Sequence, residues 1–200
     1  MEILFLIIIL ILSVIIHEIS HGYAALALGD PTAKLAGRLT LNPIPHLDIW
    51  GSIVIPGLLA LSGTGVILGW AKPVPYNPYN LSNQKWGEVI VAGAGPLSNI
   101  ILAIIFGMLI RFGALPEAML SLATYIVLIN IVLALFNLVP IPPLDGSKIL
   151  FSILPYRFQY LRISLERYGL IFVLFFVFFL WRFIAPAIFW LFGFLTGISF

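Results

Sequence analysis

Apolar residues fall into five long runs along this 200-residue chain, separated by short polar stretches. The first run covers residues 3–28. Positions 3–16 carry no charge, His17-Glu18 interrupts, and apolar character resumes from Tyr23 to Leu28 before Gly29-Asp30-Pro31 supplies a helix stop. No Lys or Arg precedes this run and no small-x-small site closes it, so it reads as a retained membrane helix and not as a cleaved signal. Run 52–70 is broken by Pro56, Gly57 and Ser62-Gly63-Thr64-Gly65. Run 88–111 holds Gly93-Ala94-Gly95-Pro96, and run 118–139 leads into Pro140-Ile141-Pro142-Pro143. Run 169–195 is rich in aromatics and contains Arg182 and Pro186. About twenty apolar residues cross a bilayer core. The pattern predicts an all-α polytopic membrane protein in one domain, residues 1–200, with about five transmembrane helices (four to six). Run 52–70 is the weakest, and is expected to be a re-entrant or interfacial segment or a short span. Run 169–195 is expected to be one span or a hairpin.

Composition agrees and closes off other classes. Hydrophobic residues make up 62% and charged residues 9%, a balance that a soluble domain of this size cannot hide from water. Ten Lys/Arg against eight Asp/Glu leave no dense basic patch for nucleic acid, and zero cysteines exclude disulfides and thiolate metal sites. The expected surroundings are a lipid bilayer.

Candidate chemistry sits in the first run. His17-Glu18-Ile19-Ser20-His21 is H-E-x-x-H. On a helix, the i, i+4 spacing puts both imidazoles on one face, where they can take two corners of a Zn²⁺ tetrahedron, with Glu18 placed as general base for a water the metal activates. Two imidazoles and a carboxylate inside lipid are costly unless partnered, which argues for a function. A catalytic zinc needs a third protein ligand. His46, Asp30, Asp48, Glu88, Glu117, Asp145 and Glu166 are the candidates. Asp145 is the best placed of them, because it follows a strong span through Pro140, Pro142 and Pro143, which stop the helix. Such irregular backbone is tolerated at membrane depth only where protein or a wet cavity covers it. A plain Asp-Gly turn leaving the bilayer is the competing reading of that position.

His17–His21 together with Asn137, Pro140 and Asp145-Gly146 resembles the site-2 protease family of intramembrane zinc metalloproteases. Gly95-Pro96-Leu97-Ser98-Asn99 is similar to that family's G-P-x-x-N element. Gly69-Trp70-Ala71-Lys72-Pro73-Val74-Pro75 is similar to a segment of its short bacterial and archaeal members. The resemblance implies His17, His21 and Asp145 as ligands of one Zn²⁺ per chain and Glu18 as the catalytic carboxylate. Asn99 and Asn137 would contact substrate. It further implies a short form without the PDZ or CBS modules of many relatives, located in a prokaryotic cell membrane. The expected activity is hydrolysis of peptide bonds within or beside transmembrane segments of other membrane proteins. An ion or proton transporter using the same His/Glu/Asp cluster is the alternative.

If one ion joins helix 1 to Asp145, the first run and run 118–139 must end on the same side. One of the two runs between them then does not cross. With 52–70 as that run, Lys34, Arg38, Lys72, Lys85, Lys148, Arg157, Arg162 and Arg167 fall on one side and Arg111 on the other. The positive-inside rule then puts the site nearer the cytoplasm and the N-terminus outside. His46 and Asp48 are candidates for the site entrance, with His46 as a substrate-positioning residue. Residues 160–167 read as a basic interfacial helix.

Overall fold

The computed structural model describes residues 2–55, 58, 61 and 69–198. Helix α1 is Glu2–Ala27, and the one-turn helix α2 is Thr32–Leu35. Helix α3 is Gln84–Arg111, α4 is Glu117–Asn137 and α5 is Asp145–Ile153. Helices α6, Gln159–Phe175, and α7, Trp181–Thr196, are joined by a π-helical turn at Phe176–Leu180. No strand occurs among the described residues, and four helical runs are long and apolar enough to cross a membrane. Most of run 52–70, at positions 56–57, 59–60 and 62–68, lies outside the described residues.

The last run differs from its expected bounds. It begins at residue 159 and continues to 196 as one 38-residue helical run, long and apolar enough to cross a membrane and without a hairpin turn inside it. Residues 160–167 are its opening turns, and no separate surface helix forms there. At 1.5 Å per residue it is about 57 Å long, well beyond a hydrocarbon core of about 30 Å, so its charged first turns reach out past the lipid. Helix α3 also starts a turn earlier than its apolar run, because the Asn83 side chain accepts from the Trp86 N–H and caps it.

Side-chain pairs fix the directions of the helices. Asn99 of α3 bonds the Ser13 carbonyl, and His21 meets the Val91 carbonyl, so α3 runs antiparallel to α1. Asn130 of α4 bonds Ser13, and Asp145 beyond the end of α4 meets His17, so α4 runs parallel to α1. Ala103 and Ile110 of α3 share an apolar cluster with Ile188, Phe192 and Leu195, while Arg111 bonds the Phe194 carbonyl; α7 therefore runs with α3. The Ser82 N–H donates to the Leu28 carbonyl at 2.8 Å, tying the start of α3 to the end of α1. The chain from 28 to 82 thus leaves and rejoins the bundle at one end.

Small residues let the helices close up. A Cβ on Gly107 would come within 2.8 Å of Leu195 Cβ, and one on Gly169 would strike the Pro142 carbonyl group. Gly146 works the same way. It has no positive φ, but a Cβ there would collide with the carbonyl oxygens of Leu138 and Val139. The glycine after Asp145 therefore serves close packing, where the sequence suggested turning freedom.

Candidate metal centre

Helix α1 carries His17 and His21 one turn apart on the face turned to α3, and both are buried. Asp145 comes from a later element. Helix α4 ends at Asn137, the proline-rich segment follows, and α5 opens with Asp145 as its first residue. The three side chains converge. His17 Nε2 and His21 Nε2 lie 3.1 Å apart, and each lies 3.1 Å from Asp145 Oδ2.

The outer ring nitrogens explain why this triangle suits a cation. His17 Nδ1 is 2.6 Å from Asn99 Oδ1, and His21 Nδ1 is 2.6 Å from the Val91 carbonyl oxygen. Neither oxygen has a proton to give, so each Nδ1 is the donor and each Nε2 of a neutral ring keeps its lone pair. Two lone pairs and a carboxylate oxygen then face one another in a buried site and repel unless a positive charge sits between them. For bonds of about 2.0–2.1 Å around tetrahedral zinc, donors stand about 3.3 Å apart. The observed spacing suits that ion, and the donor set of two imidazoles and one carboxylate is of catalytic-zinc type.

Helix α3 closes one side of the triangle. A Cβ on Gly95 would collide with His21 Nε2 and come within 2.6 Å of His17 Nε2, so only glycine leaves the donor nitrogens clear. Beneath the imidazoles lies a polar tier. Asn99, fully buried, spends its oxygen on His17 and its amide hydrogens on Asn130 Oδ1 at 2.7 Å and the Ser13 carbonyl at 3.4 Å. Asn130, also fully buried, donates in turn to Ser13 Oγ at 2.9 Å. Sequence reasoning missed Ser13 and Asn130. Each is a polar side chain in an apolar span, a signal that could have found it, and Ser13 sits one turn before His17.

Lys148 donates to Asp145 Oδ1 at 3.2 Å, so each carboxylate oxygen has its own partner. Burial works against the Lys148 ammonium, but the charge and hydrogen bond of Asp145 together with Tyr76 and Glu18 outweigh it, and its pKa stands above the usual lysine value. Glu18 is half-buried and accepts from the Val74 backbone N–H at 2.8 Å through Oε2.

The remaining sequence candidates lie elsewhere. His46 is buried in the turn Ile44–His46, where its Nε2 meets the Thr40 carbonyl at 2.9 Å; it braces a loop and is not among the converging donors. Asn137 donates to the Leu133 carbonyl of its own helix at 2.9 Å. Asp48 caps the turn Ile49–Val54 by accepting from the Gly51 N–H. Asp30 accepts from the Thr32 N–H just beyond α1, Glu88 accepts from Ser152, and Glu166 pairs with Arg162. None of these joins the His17, His21 and Asp145 group.

Comparison with known proteins agrees with this donor set. Residues 112–180 match the family model for peptidase family M50. "Putative zinc metalloprotease YwhC" of Bacillus subtilis (strain 168) is 40% identical over 191 residues, covering 91% of this chain and 81% of its own length. "Putative zinc metalloprotease Rip2" of Mycolicibacterium smegmatis is 31% identical over 68% of this chain and 52% of its own length. "Zinc metalloprotease MJ0392" of Methanocaldococcus jannaschii is 27% identical over 78% of this chain and 36% of its own length. No solved structure matches. The likeness to YwhC over nearly the whole chain decides between enzyme and ion carrier: this is a metalloendopeptidase with helices fit to span a membrane, and it belongs to peptidase family M50, the site-2 proteases.

Proposed function

We propose that the chain is an intramembrane zinc endopeptidase, hydrolysing peptide bonds within or beside transmembrane segments of other membrane proteins. His17, His21 and Asp145 hold the metal and Glu18 is the catalytic carboxylate. The observation that carries this reading is the 3.1 Å triangle of His17 Nε2, His21 Nε2 and Asp145 Oδ2, built on helices apolar enough to span a bilayer. Held by His17, His21 and Asp145, zinc would supply Lewis-acid chemistry toward water and the scissile carbonyl. Glu18 takes the proton of the attacking water and passes it to the leaving amine. Asn99 and the Val91 carbonyl hold the two imidazoles in the tautomer that leaves Nε2 free. Asn99 acts on His17, since its amide is spent inside the protein and has no hydrogen left for a substrate.

The substrate must unwind locally, because a helix paired along its whole length gives the nucleophile poor access. Helix-breaking residues near the cut should therefore speed cleavage. His46 and Asn137 remain proposed as contacts to the unwound strand, through groups other than those engaged above. The site is placed nearer the cytoplasmic face of a prokaryotic membrane, with the N-terminus outside. Positions 51–52 and 70 then share one side, which is supported by the hydrogen bonds from Trp70 N to the Gly51 carbonyl and from Ser52 Oγ to the Trp70 carbonyl.

The test is cleavage of a membrane-spanning peptide by purified protein in proteoliposomes. Glu18→Gln is expected to keep its zinc and lose turnover, and Asp145→Ala to lose both. Retained turnover in Glu18→Gln would remove that residue from the mechanism.

A further inference from the structure

The segment Gly69-Trp70-Ala71-Lys72-Pro73-Val74-Pro75 has no part in the donor triangle, yet it reaches the catalytic carboxylate. Residues 71–77 form no helix. Proline holds its own φ near −65° and biases the residue before it toward extended backbone, so Lys72-Pro73-Val74-Pro75 is stiff and drawn out by its sequence. Proline also has no N–H. Across Pro73-Val74-Pro75 the backbone offers a single donor, on Val74, and that N–H goes to Glu18 Oε2 at 2.8 Å.

Three further contacts hold this arm in place. The Lys72 N–H donates to the His46 carbonyl at 2.9 Å. The buried Arg38 guanidinium donates to the Lys72 carbonyl at 2.7 Å and to the Pro73 carbonyl at 3.2 Å. The Val74 side chain is buried against α1 at Gly22, which lies one turn beyond Glu18 on the same face. A Cβ on Gly22 would come within 3.0 Å of Val74 Cγ1 and 2.5 Å of Leu39 Cδ2. Gly22 thus gives the arm its seat against the helix, while Arg38 and the His46 carbonyl set its register.

We propose that Val74 is a positioning residue for the hydrolysis: its backbone N–H, presented by the arm 69–77, fixes one oxygen of Glu18 and leaves the other for the attacking water. A carboxylate on a flexible side chain has many orientations, and only a few place an oxygen for proton transfer. A charge-assisted bond from a stiff backbone selects among them without adding any group to the metal. This inference rests on the reading of Glu18 as catalytic carboxylate and adds the device that aims it.

The experiment replaces single amide N–H groups by ester oxygens in the full chain, by incorporating α-hydroxy acids at position 74 and, as control, at position 72. The position 72 ester removes the bond to the His46 carbonyl from the same arm and leaves Glu18 untouched. Bound zinc, kcat and KM are measured on a membrane-spanning peptide in proteoliposomes, with Glu18→Gln alongside. The position 74 ester is expected to keep its zinc, hold KM within about twofold and lose about tenfold or more in kcat, the scale of a hydrogen bond to a charged group. The position 72 ester is expected to lose much less. Equal losses for the two esters, from unfolding or any other cause, overturn the proposal, as does a position 74 ester with undiminished kcat. If Glu18→Gln itself turns over normally, the reading of Glu18 falls first; if it is dead while the esters match, only the role of Val74 falls.

Discussion

At the scale of single residues, the metal centre depends on groups that never touch the metal. Asn99 is expected to matter through His17. Asn99→Leu removes the acceptor for Nδ1–H, frees the ring to rotate and leaves Asn130 and Ser13 without their partner. Zinc affinity should fall about 10- to 100-fold, the usual effect of losing such an outer partner. Competition with a graded series of chelators measures this, and unchanged affinity would show that packing alone holds the imidazole. Gly95→Ala should be harsher, since its methyl would lie on the donor nitrogens themselves. The expected result is a folded protein without stoichiometric zinc by elemental analysis. Of this donor group, the i, i+4 histidines were legible because helical spacing alone brings them together. Asp145 was legible only as the best of several carboxylates, since it lies 128 positions from His17 and needs the tertiary fold to reach it. Gly95 stood out only as part of the G-P-x-x-N likeness; its place against the imidazoles was not legible, because nothing in a sequence marks a glycine as the one backing onto a ligand.

At the scale of elements, the end of α1 is fastened by Asp30, which the sequence offered both as part of a helix stop and as a possible ligand. It is fully buried. Its Oδ1 accepts from the Thr32 N–H, the Thr32 hydroxyl and the Asn80 amide, and its Oδ2 from the Asn77 N–H at 2.6 Å. Burial raises the pKa of this carboxyl, but the hydrogen bonds from Thr32, Asn77 and Asn80 outweigh it, so the folded value lies below the ordinary one. A carboxylate with a depressed folded pKa contributes stability above its unfolded value, about 3.9, and that contribution disappears as pH falls through the folded value. Asp30→Asn should therefore destabilise the protein at neutral pH, with the gap to wild type narrowing below about pH 4. Thermal unfolding across that range checks it, and a gap independent of pH would assign the loss to shape and not charge. The same balance of lipid and polar ends explains which element bounds were legible. Apolar runs marked the spans, because lipid admits little else. The helix at 160–167 was legible as a basic one, but its continuity with the last apolar run was not, because Arg162, Glu166 and Arg167 interrupt the apolar pattern that marks a span.

At the scale of the whole molecule, the pair directions in the bundle bear on the proposed topology through the placement of the charges. Helices α1 and α4 point one way and α3 and α7 the other, so the end of α1, the start of α3, the segment after α4 and the start of α6 share one face. Lys34, Arg38, Lys72, Lys85, Lys148, Arg157, Arg162 and Arg167 all belong to that face, while Arg111, at the far end of α3, belongs to the other. The length of the last helical run strengthens the count. About 57 Å of helix in a core of about 30 Å leaves room for Arg157, Arg162 and Arg167 among the headgroups. Translocating eight cations would oppose the rule that basic loops stay in the cytoplasm, whereas Arg111 alone is a small exception. The chain has no cysteine of its own, so single cysteines report cleanly. A cysteine replacing Arg157 should react with a membrane-impermeant maleimide only after the cells are opened, and one replacing Gly113 should react in intact cells. The reverse pattern would turn the molecule over and place its water access, and the end of the substrate it engages, on the outer face.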